Sequence, residues 1–393
     1  MKFVDKAVTL LKVLSGKVLY CLSGFIKRDK KLWVFGSFGI FNDNSKYLFL
    51  DMIKHHPHIR VVWISNNIKS LQAAKKMGAE AYHPKSLRGF CCCLRASVYF
   101  YSSYLTDINY YTSRNALKVN LWHGVPLKKI EFDIQTPPLV NTFANASWFT
   151  RFIKGAQHVK PDFVLAPSQF VADYSFKSAF RVNDDNIIIS SYPRVSDLLS
   201  CHPIESLKSK FRSTVLYTPT WRDDGRDFIQ QAGFDFPALN AFMKSAESVF
   251  IFKLHPSTKI TLDKQFSNII FADNQLDPNE LLKTADVLIT DYSSVYFDYL
   301  YLNKPIVFYN FDINSYMANR EMYFDYDEYT PGIKVGDFPT LIAQLELLVT
   351  EKGHDLYLNE RRHVASVFQQ GSGGNEIIIA RVADALRGSN AVR

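Results

Sequence analysis

Residues 285–300 constrain the fold of this chain more than any other stretch. A short apolar run, residues 287–289, ends near the carboxylate Asp291 and is followed by Ser293 and Ser294, after which apolar residues recur at helical spacing. This pattern predicts a buried strand, a tight turn and a helix. We expect the serine pair to cap the helix and to leave backbone N–H groups for an anion beyond the strand tip.

Strand-like and helix-like runs alternate along most of the chain, which is typical of a parallel sheet covered by helices on both faces. In the second half, strand-like runs are bordered by polar residues suited to phosphate binding. The carboxyl ends of parallel strands meet at one sheet edge, so these residues are expected to converge there. The runs are residues 215–217, 249–254, 287–289 and 306–309.

The composition and length predict two domains. The chain has 393 residues, of which 47% are hydrophobic and 21% charged, enough for two cores of ordinary size. We predict an amphipathic helix at residues 1–28, one Rossmann-like domain at 29–198 and a second at 199–393. A helix at residues 375–386 is a candidate to cross back to the first domain.

The formal net charge of +8 indicates an acidic partner, such as nucleic acid, anionic lipid or a phosphorylated substrate. The five cysteines, of which Cys91, Cys92 and Cys93 are adjacent, match neither a disulfide framework nor a paired zinc motif, and they favour a reducing cytosol. The sequence lacks both the dinucleotide-binding glycine fingerprint and a Walker glycine loop, which argues against a dinucleotide enzyme or a P-loop kinase.

The first 28 residues combine apolar residues and lysines with helical periodicity. Lys12 and Lys17 interrupt the apolar run, so the segment is too short to span a bilayer and does not match a signal peptide. Such a helix can lie in the interface of an anionic leaflet. The alternative is a helix that packs on the rest of the protein.

Histidine 123 is the first candidate for catalysis. It follows a strand-like run and precedes Gly124, where the backbone must turn sharply and the imidazole can face a ligand. A histidine so placed is suited to general base chemistry, although a structural histidine is the alternative.

A second candidate site is cationic. Lys253 and His255 are two residues apart, so they share one face if the strand continues, and with Arg222 they would form a pocket for a diphosphate. Arg194 is expected at the mouth of a cleft, because it ends a strand next to the predicted interdomain linker, residues 195–212.

Four segments together resemble the CDP-glycerol glycerophosphotransferase family of teichoic acid synthesis: residues 122–128, 218–222, 253–256 and 290–298. The resemblance extends over residues 32–312. It implies a GT-B fold, in which two Rossmann-like domains with parallel sheets face a central cleft, with residues 29–198 as the acceptor domain and residues 199–393 as the CDP-glycerol-binding domain. It also implies peripheral attachment to the cytoplasmic face of the bacterial cell membrane. The activity that it implies is transfer of glycerol phosphate from CDP-glycerol to a hydroxyl of a membrane-linked teichoic acid, capsule or primer acceptor, with release of CMP.

The resemblance also implies roles for individual residues. His123 matches the family's proposed catalytic histidine and would act as general base on the acceptor hydroxyl, while His255 matches a second functional histidine. Lys253, Arg194 and Arg222 would help His255 to hold the diphosphate. Val125 departs from the family pattern, in which threonine is common. The remaining positions expected to bind substrate are Trp122, Gly124, Pro126, Lys128, Pro219, Thr220, Asp291, Ser293, Ser294 and Asp298.

We expect no dedicated metal site and no cofactor, although a magnesium ion that accompanies the diphosphate is compatible with the sequence. CDP-ribitol or a nucleotide sugar is the alternative donor within the same fold. A non-catalytic basic module that binds membrane or nucleic acid is the alternative of another class. The aromatic residues do not form an RNA-binding signature, so nucleic acid is not an expected partner. The acceptor, the product length and the oligomeric state stay open at the level of sequence.

Overall fold

The computed structural model describes residues 2–222, 228–254, 265–273, 276–318, 320–350 and 355–388. The chain forms two compact units, and neither is continuous in sequence. The first unit comprises Met1–His123, Ile130–Arg194 and Gln370–Arg393, and the second comprises Gly124–Lys129 and Val195–Gln369.

In the part of the first unit that the structure describes, seven strands form one parallel sheet in the order β3-β2-β1-β4-β5-β6-β7. All residues of its central strand β4 are buried, as expected for a parallel strand covered on both faces. The strands are β1 Asp29–Phe35, β2 Arg60–Ile64, β3 Ala81–Tyr82, β4 Ala96–Tyr101, β5 Leu117–Asn120, β6 Phe163–Ala166 and β7 Ile187–Ile189.

The described residues of the second unit form a parallel sheet of six strands in the order β10-β9-β8-β11-β12-β13. Its core is rich in aromatic side chains, including the fully buried Tyr217, Phe250 and Phe252. The strands are β8 Thr214–Tyr217, β9 Val249–Phe252, β10 Ile269–Phe271, β11 Val287–Thr290, β12 Ile306–Tyr309 and β13 Ile333–Val335.

The strand order reverses once in each sheet, between β1 and β4 in the first unit and between β8 and β11 in the second. At such a switch point the loops after the two strands leave in opposite directions and open a crevice, where α/β proteins bind ligands. In the second unit these loops begin at Thr218 and Asp291, so residues singled out from the sequence flank its switch point.

Helices connect and cover the strands in both units. Gln169 to Phe180 is one helical stretch with a π-helical turn, Ala172–Phe176, between α6 and α7. The α-helices are α1 Lys2–Ser23, α2 Asp43–His55, α3 Ile68–Lys76, α4 Leu87–Arg95, α5 Trp148–Ile153, α6 Gln169–Val171, α7 Lys177–Phe180, α8 Pro193–Ser200, α9 Glu205–Lys208, α10 Phe228–Gln231, α11 Phe236–Ser245, α12 Pro278–Thr284, α13 Val295–Tyr299, α14 Ile313–Met317, α15 Tyr326–Tyr329, α16 Phe338–Thr350, α17 Leu358–Phe368 and α18 Gly374–Gly388. The 3₁₀ helices are Leu105–Asp107, Tyr110–Thr112, Glu131–Asp133, Leu139–Asn141, Gly155–His158, Asp184–Asn186 and Leu300–Leu302.

Helix α1 packs one face on the first unit. The ring of Tyr20 stacks on Tyr110 with centroids 4.9 Å apart, and the Lys17 ammonium donates a hydrogen bond of 3.1 Å to the Tyr110 hydroxyl. Gly16 permits the close approach of α1 to the neighbouring Tyr111, because a Cβ at residue 16 would lie 2.4 Å from the Tyr111 ring. Among the described residues, no helix has both the length and the hydropathy needed to cross a bilayer.

The predicted fold class is confirmed, because two parallel sheets with alternating helices are present. Two local expectations differ from the structure. The predicted linker, residues 195–212, contains most of α8 and all of α9, since Val195 and Leu198 are buried apolar residues at helical spacing. Within the described chain Ser294 makes no side-chain capping bond, because its backbone already has helical dihedral angles at the start of α13.

Candidate functional site

The turn after β5 presents His123 on the surface of the first unit. Asn120 ends the strand, and its side-chain oxygen accepts a 2.9 Å hydrogen bond from the Trp122 backbone N–H. Trp122 has φ of 46° and Gly124 has φ of 147°, so the chain reverses around His123 in conformations that are rare for residues other than glycine. The buried Trp122 ring packs edge-on against Phe180 at 4.9 Å.

The His123 imidazole is exposed and held at one nitrogen. Its Nδ1 lies 3.0 Å from the carbonyl oxygen of Ser102. A carbonyl oxygen can only accept, so Nδ1 carries the hydrogen and Nε2 of the neutral ring carries the lone pair. Asn44 steadies the chain just before the histidine by donating to the carbonyl oxygens of Leu121 at 3.1 Å and Trp122 at 2.8 Å. This arrangement suits His123 to accept a proton at Nε2.

The loop that carries Ser102 is itself anchored. The Asp107 carboxylate accepts the backbone N–H groups of Ser103 at 2.9 Å and Tyr104 at 3.3 Å, and the Ser102 hydroxyl lies 2.8 Å from that of Ser45. Burial raises the pKa of Asp107 to about 7, against the opposing effect of the backbone donors. Asp107 therefore fixes the backbone that orients His123.

In the second unit, Arg222 joins the loops after β8, β11 and β12. It donates from Nε and Nη2 to the Asp312 carboxylate at 2.8 and 3.0 Å, and its Nη2 lies 2.9 Å from Asp291. Its Nη1 donates to the Thr220 carbonyl oxygen at 2.7 Å. Burial alone favours the neutral guanidine, but the two carboxylates outweigh it and hold the pKa of Arg222 above its ordinary value. The guanidinium is thus directed at protein oxygens on several sides.

Asp291 completes this arrangement from the centre of the sheet edge. It is fully buried, and its Oδ1 accepts the backbone N–H groups of Thr220 at 2.8 Å and Tyr292 at 2.5 Å. Asp291 and Arg222 together therefore fix the backbone on both sides of the switch point between β8 and β11.

Lys128 reaches this network through a pair of stacked tyrosines. Its ammonium donates a 3.0 Å hydrogen bond to the Tyr316 hydroxyl. The Tyr316 ring stacks on Tyr292 at 3.7 Å, and the Tyr292 hydroxyl donates to Asp312 at 3.0 Å. Burial lowers the pKa of Lys128 to about 8, although the Asp291 carboxylate opposes the shift. Within the second unit, residues 124–129 and the residues around Asp291 are therefore connected through Tyr316 of α14.

Backbone bonds hold the segment of Lys128 in the second unit. Leu127 accepts the N–H of Tyr323 at 2.9 Å, and Lys129 donates to the carbonyl oxygen of Glu321 at 2.8 Å. Lys128 and Met322 form an isolated antiparallel bridge between the two segments. Gly124 and Pro126, both expected from the sequence to bind substrate, are buried in the same segment.

The remaining predicted donor-binding residues lie at or just behind the switch point. Pro219 is buried and Thr220 half-buried in the loop after β8. The Thr220 hydroxyl lacks a hydrogen-bond partner among the described residues. Ser293 and Ser294 are half-buried after β11, where the Ser293 hydroxyl accepts the Val295 N–H at 3.5 Å, and Asp298 lies largely buried in α13.

The predicted cationic residues are distributed between the units. Lys253 follows β9 in the second unit, and its ammonium donates to the Asp273 carbonyl oxygen at 2.7 Å. Arg194 belongs to the first unit, where its Nη1 donates to the Asp43 carboxylate at 3.0 Å. His255 lies outside the described residues, so its predicted role stays a prediction.

Several residues that shape the site were not identified from the sequence: Ser102, Asp107, Asp312 and Tyr316. None of them stands in a recognisable local motif. Asp312 follows β12 at the same sheet edge as Asp291, and it could have been found by following the chain a few residues past the end of the run 306–309. Within the described ranges, no group of three or more histidine, cysteine or acidic residues could hold a metal ion.

Two parallel sheets with polar loops at their switch points define an α/β protein of the GT-B type. The structure matches the wall teichoic acid polymerase TagF with a TM-score of 0.76 at 22% identity, covering 99% of both chains. Residues 19–382 match the family model described as CDP-Glycerol:Poly(glycerophosphate) glycerophosphotransferase. This chain belongs to that family and is an enzyme of the glycerophosphotransferase class.

Two relatives illustrate the range of the family. A teichoic acid glycerol-phosphate transferase of Staphylococcus aureus is 28% identical over 360 residues, which cover 87% of this chain and 88% of the relative. A teichoic acid poly(glycerol phosphate) polymerase of Staphylococcus epidermidis is 27% identical over 327 residues, which cover 77% of this chain but 43% of the relative. The chain thus spans most of the transferase and less than half of the polymerase.

Proposed function

We propose that this chain transfers glycerol phosphate from CDP-glycerol to a hydroxyl of a teichoic acid acceptor and releases CMP. Family membership and the similar length of the S. aureus glycerol-phosphate transferase support this activity. A further solved structure of TagF, similar in fold to this chain, was determined after a soak with CDPG.

The observation that carries the proposal is the exposed His123, whose Nδ1 is bonded to the Ser102 carbonyl oxygen. In the proposed reaction, Nε2 removes the proton of the acceptor hydroxyl. The hydroxyl oxygen then forms a bond to the phosphorus that carries glycerol, and the bond from that phosphorus to the bridging oxygen of the diphosphate breaks. CMP leaves with the bridging oxygen, and His123 holds the proton.

The donor diphosphate is proposed to lie beyond the ends of β8 and β11, at the switch point of the second sheet. Pro219, Thr220, Ser293 and Ser294 border this position and would supply hydroxyl and backbone contacts. Phosphoryl transfer depends mainly on positioning and charge stabilisation, so cations are needed near the leaving CMP. We assign this role to Lys253 and His255, with Arg194 as a further cation and Asp298 as a donor contact.

We assign Arg222 and Asp291 to positioning. The guanidinium of Arg222 is directed at Asp291, Asp312 and the Thr220 carbonyl oxygen, so its bonds hold the donor loops. Among the described residues, the Asp291 and Asp312 carboxylates are both engaged by Arg222, and these two residues therefore do not fit a magnesium ion. No step of the proposed reaction is assigned to a metal, and a magnesium ion accompanying the diphosphate stays a prediction from the sequence.

We also propose that α1 attaches the protein to the cytoplasmic face of an anionic membrane. Leu11, Val18 and Leu22 of α1 are 65%, 60% and 56% exposed, and Phe25, just after the helix, is 86% exposed, whereas Val13 is buried. An apolar stripe directed outward from a helix whose other face is packed is the arrangement expected for an interfacial helix. The alternative, a helix that only packs on the protein, does not account for this stripe.

CDP-ribitol is the less favoured donor, because the family description and the relative of similar length both specify glycerol. A ribitol-phosphate polymerase of Bacillus spizizenii is also a relative, at 25% identity over 84% of this chain. A nucleotide sugar has no comparable support.

Measuring CMP release from CDP-glycerol, CDP-ribitol and a nucleotide sugar in parallel, with a membrane fraction as acceptor source, tests the proposal. We expect acceptor-dependent CMP release from CDP-glycerol alone. Release only from CDP-ribitol or from the nucleotide sugar would overturn the assigned donor. If none of the donors reacts and calorimetry detects no CDP-glycerol binding, the proposed activity is wrong.

A further inference from the structure

A large cavity lies at the switch point of the first sheet. Its volume is ≈ 840 Å³, which is within the range of small-molecule sites. The loops after β1, β2 and β4 line it, as expected for a crevice at the carboxyl ends of parallel strands. The lining is rich in hydroxyl, amide and charged groups, and it includes Ser37, Asn66, Asn67, Lys69, Thr106 and Asp107.

A second cavity, of ≈ 460 Å³, adjoins the first, and both are lined by Asn66 and Thr106. We call the two cavities together the first-unit groove. The second cavity adds aromatic and cationic groups, which include Tyr104, Tyr110, Tyr111, Lys85 and Lys154. The groove therefore changes in character along its length, from polar at the sheet edge to aromatic and basic at the other end.

The aromatic end of the groove lies beside helix α1. Tyr110 accepts a hydrogen bond from Lys17 and stacks on Tyr20, and Tyr111 packs against Gly16. The same helix exposes the apolar stripe proposed to lie on the membrane. A molecule bound at this end would therefore be next to the proposed membrane surface.

The polar end of the groove shares a loop with His123. Ser102 accepts the Nδ1–H of His123, and Thr106 and Asp107 of the same loop line the groove. Asp107 also anchors this loop through the N–H groups of Ser103 and Tyr104. The loop thus connects the lining of the groove with the orientation of the proposed base.

We propose that the first-unit groove binds the head group of the acceptor, a phosphorylated polyol or sugar. Asn66, Thr106 and Asp107 can bond its hydroxyls, and Lys69, Lys85 and Lys154 can neutralise its phosphates. The tyrosine rings offer flat apolar surfaces to carbon-bound hydrogens of a sugar or polyol. This inference rests on the proposed function. It adds the position and chemistry of the acceptor site and a route from the α1 side towards His123.

Asn66→Trp tests the groove, because Asn66 is exposed and lines both cavities, so an indole there would obstruct their junction. CMP release from CDP-glycerol is measured with the full chain at increasing amounts of a membrane fraction. We expect the half-saturating amount of acceptor to rise at least about tenfold, equivalent to about 1.4 kcal/mol. The KM for CDP-glycerol should change less than about twofold, because the donor site is assigned to the second unit.

Gln72→Trp is the matched control, since Gln72 is exposed on α3 and does not line either cavity. If Asn66→Trp does not fold, the milder double variant Asn66→Ala, Thr106→Ala replaces it. A second arm uses the same membranes after mild acid has released the polyol phosphate polymers from lipid. A rise in the half-saturating amount of acceptor with both preparations supports a site for the head group itself. The same rise with intact membranes alone supports a lipid-linked acceptor.

If the wild-type protein transfers glycerol phosphate and Asn66→Trp needs the same half-saturating amount of acceptor with both preparations, the groove is not the acceptor site. The proposed function would then stay intact. Absence of CMP release and of CDP-glycerol binding by the wild-type protein would instead overturn the proposed function. The two failures are therefore distinguishable.

Discussion

The Nδ1 atom of His123 lies 3.0 Å from the carbonyl oxygen of Ser102. This single hydrogen bond determines which ring nitrogen of His123 can accept a proton, and the loop that provides it is anchored by Asp107 and Ser45. The orientation of the proposed base is therefore a property of the β4 loop as much as of the motif that contains the histidine.

We predict that His123→Ala abolishes transfer and leaves CDP-glycerol binding nearly intact, because a base acts on the acceptor rather than on the donor. Loss of a general base typically costs about 10²- to 10⁴-fold in rate. CMP release and donor calorimetry measure the two effects separately. His58→Ala, an exposed histidine of the same unit, is the control. More than about a tenth of wild-type turnover in His123→Ala would contradict the role of general base.

We predict that Arg222→Met destabilises the second unit strongly, because it leaves the buried Asp291 and the half-buried Asp312 carboxylates without their cation. Breaking a buried ion pair costs about 3–5 kcal/mol. Urea unfolding followed by circular dichroism measures the change, and Arg222→Lys provides a milder variant that retains the charge. Arg212→Met, at an exposed arginine of the same unit, should shift stability by less than about 0.5 kcal/mol. Equal midpoints for the Arg222 and Arg212 variants would refute the positioning role.

We predict a pH signature for Lys128. Burial lowers its pKa in the folded protein to about 8, from an ordinary value of 10.5. Between these two values the unfolded chain binds a proton that the folded protein has released, so this residue makes stability rise with pH across that window. Lys128→Met should remove this contribution, whereas Lys129→Met should retain it. Thermal unfolding of the three proteins from pH 7 to 10.5 tests the prediction, and identical pH profiles for wild type and Lys128→Met would contradict it.

We predict that the outward stripe of α1 carries membrane binding. The triple variant Leu11→Gln, Val18→Gln, Phe25→Gln should lower binding to vesicles containing anionic lipid at least about tenfold, because each buried side chain contributes about 1.5–3 kcal/mol. These residues are more informative than a deletion of α1, which would also uncover Tyr110 and Tyr111. Co-sedimentation with phosphatidylglycerol vesicles is the measurement.

The matched control for α1 replaces three exposed leucines elsewhere, Leu87, Leu199 and Leu356, by glutamine. We expect this control to sediment with vesicles as the wild-type protein does. Binding should also weaken as salt is added, because lysine attraction to an anionic surface is screened. If the α1 triple variant and the control bind equally well, the attachment resides in another part of the chain.

Much of the fold could be predicted from local patterns. Apolar runs such as residues 287–289 and 306–309 are strands in the structure, and the polar residues after Tyr217 and Thr290 lie at the carboxyl edge of one sheet. Such features depend on neighbours in sequence, because strand formation and strand direction are expressed in short periodic patterns. The predicted capping by the serine pair is met only by Ser293, whose hydroxyl accepts the Val295 N–H, whereas Ser294 makes no side-chain capping bond, since a serine at a helix start need not bond there.

The sequence by itself determined the alternation of strands and helices, the polar strand ends and the position of His123 after β5. Tertiary structure alone decided how these residues are used. It selected the Nδ1–H tautomer of His123 through Ser102, directed Arg222 towards Asp291 and Asp312, and placed the half-buried Lys128 against Tyr316. The physical reason is that hydrogen-bond partners and burial depend on groups brought together from distant parts of the chain, and no local pattern records which groups will meet.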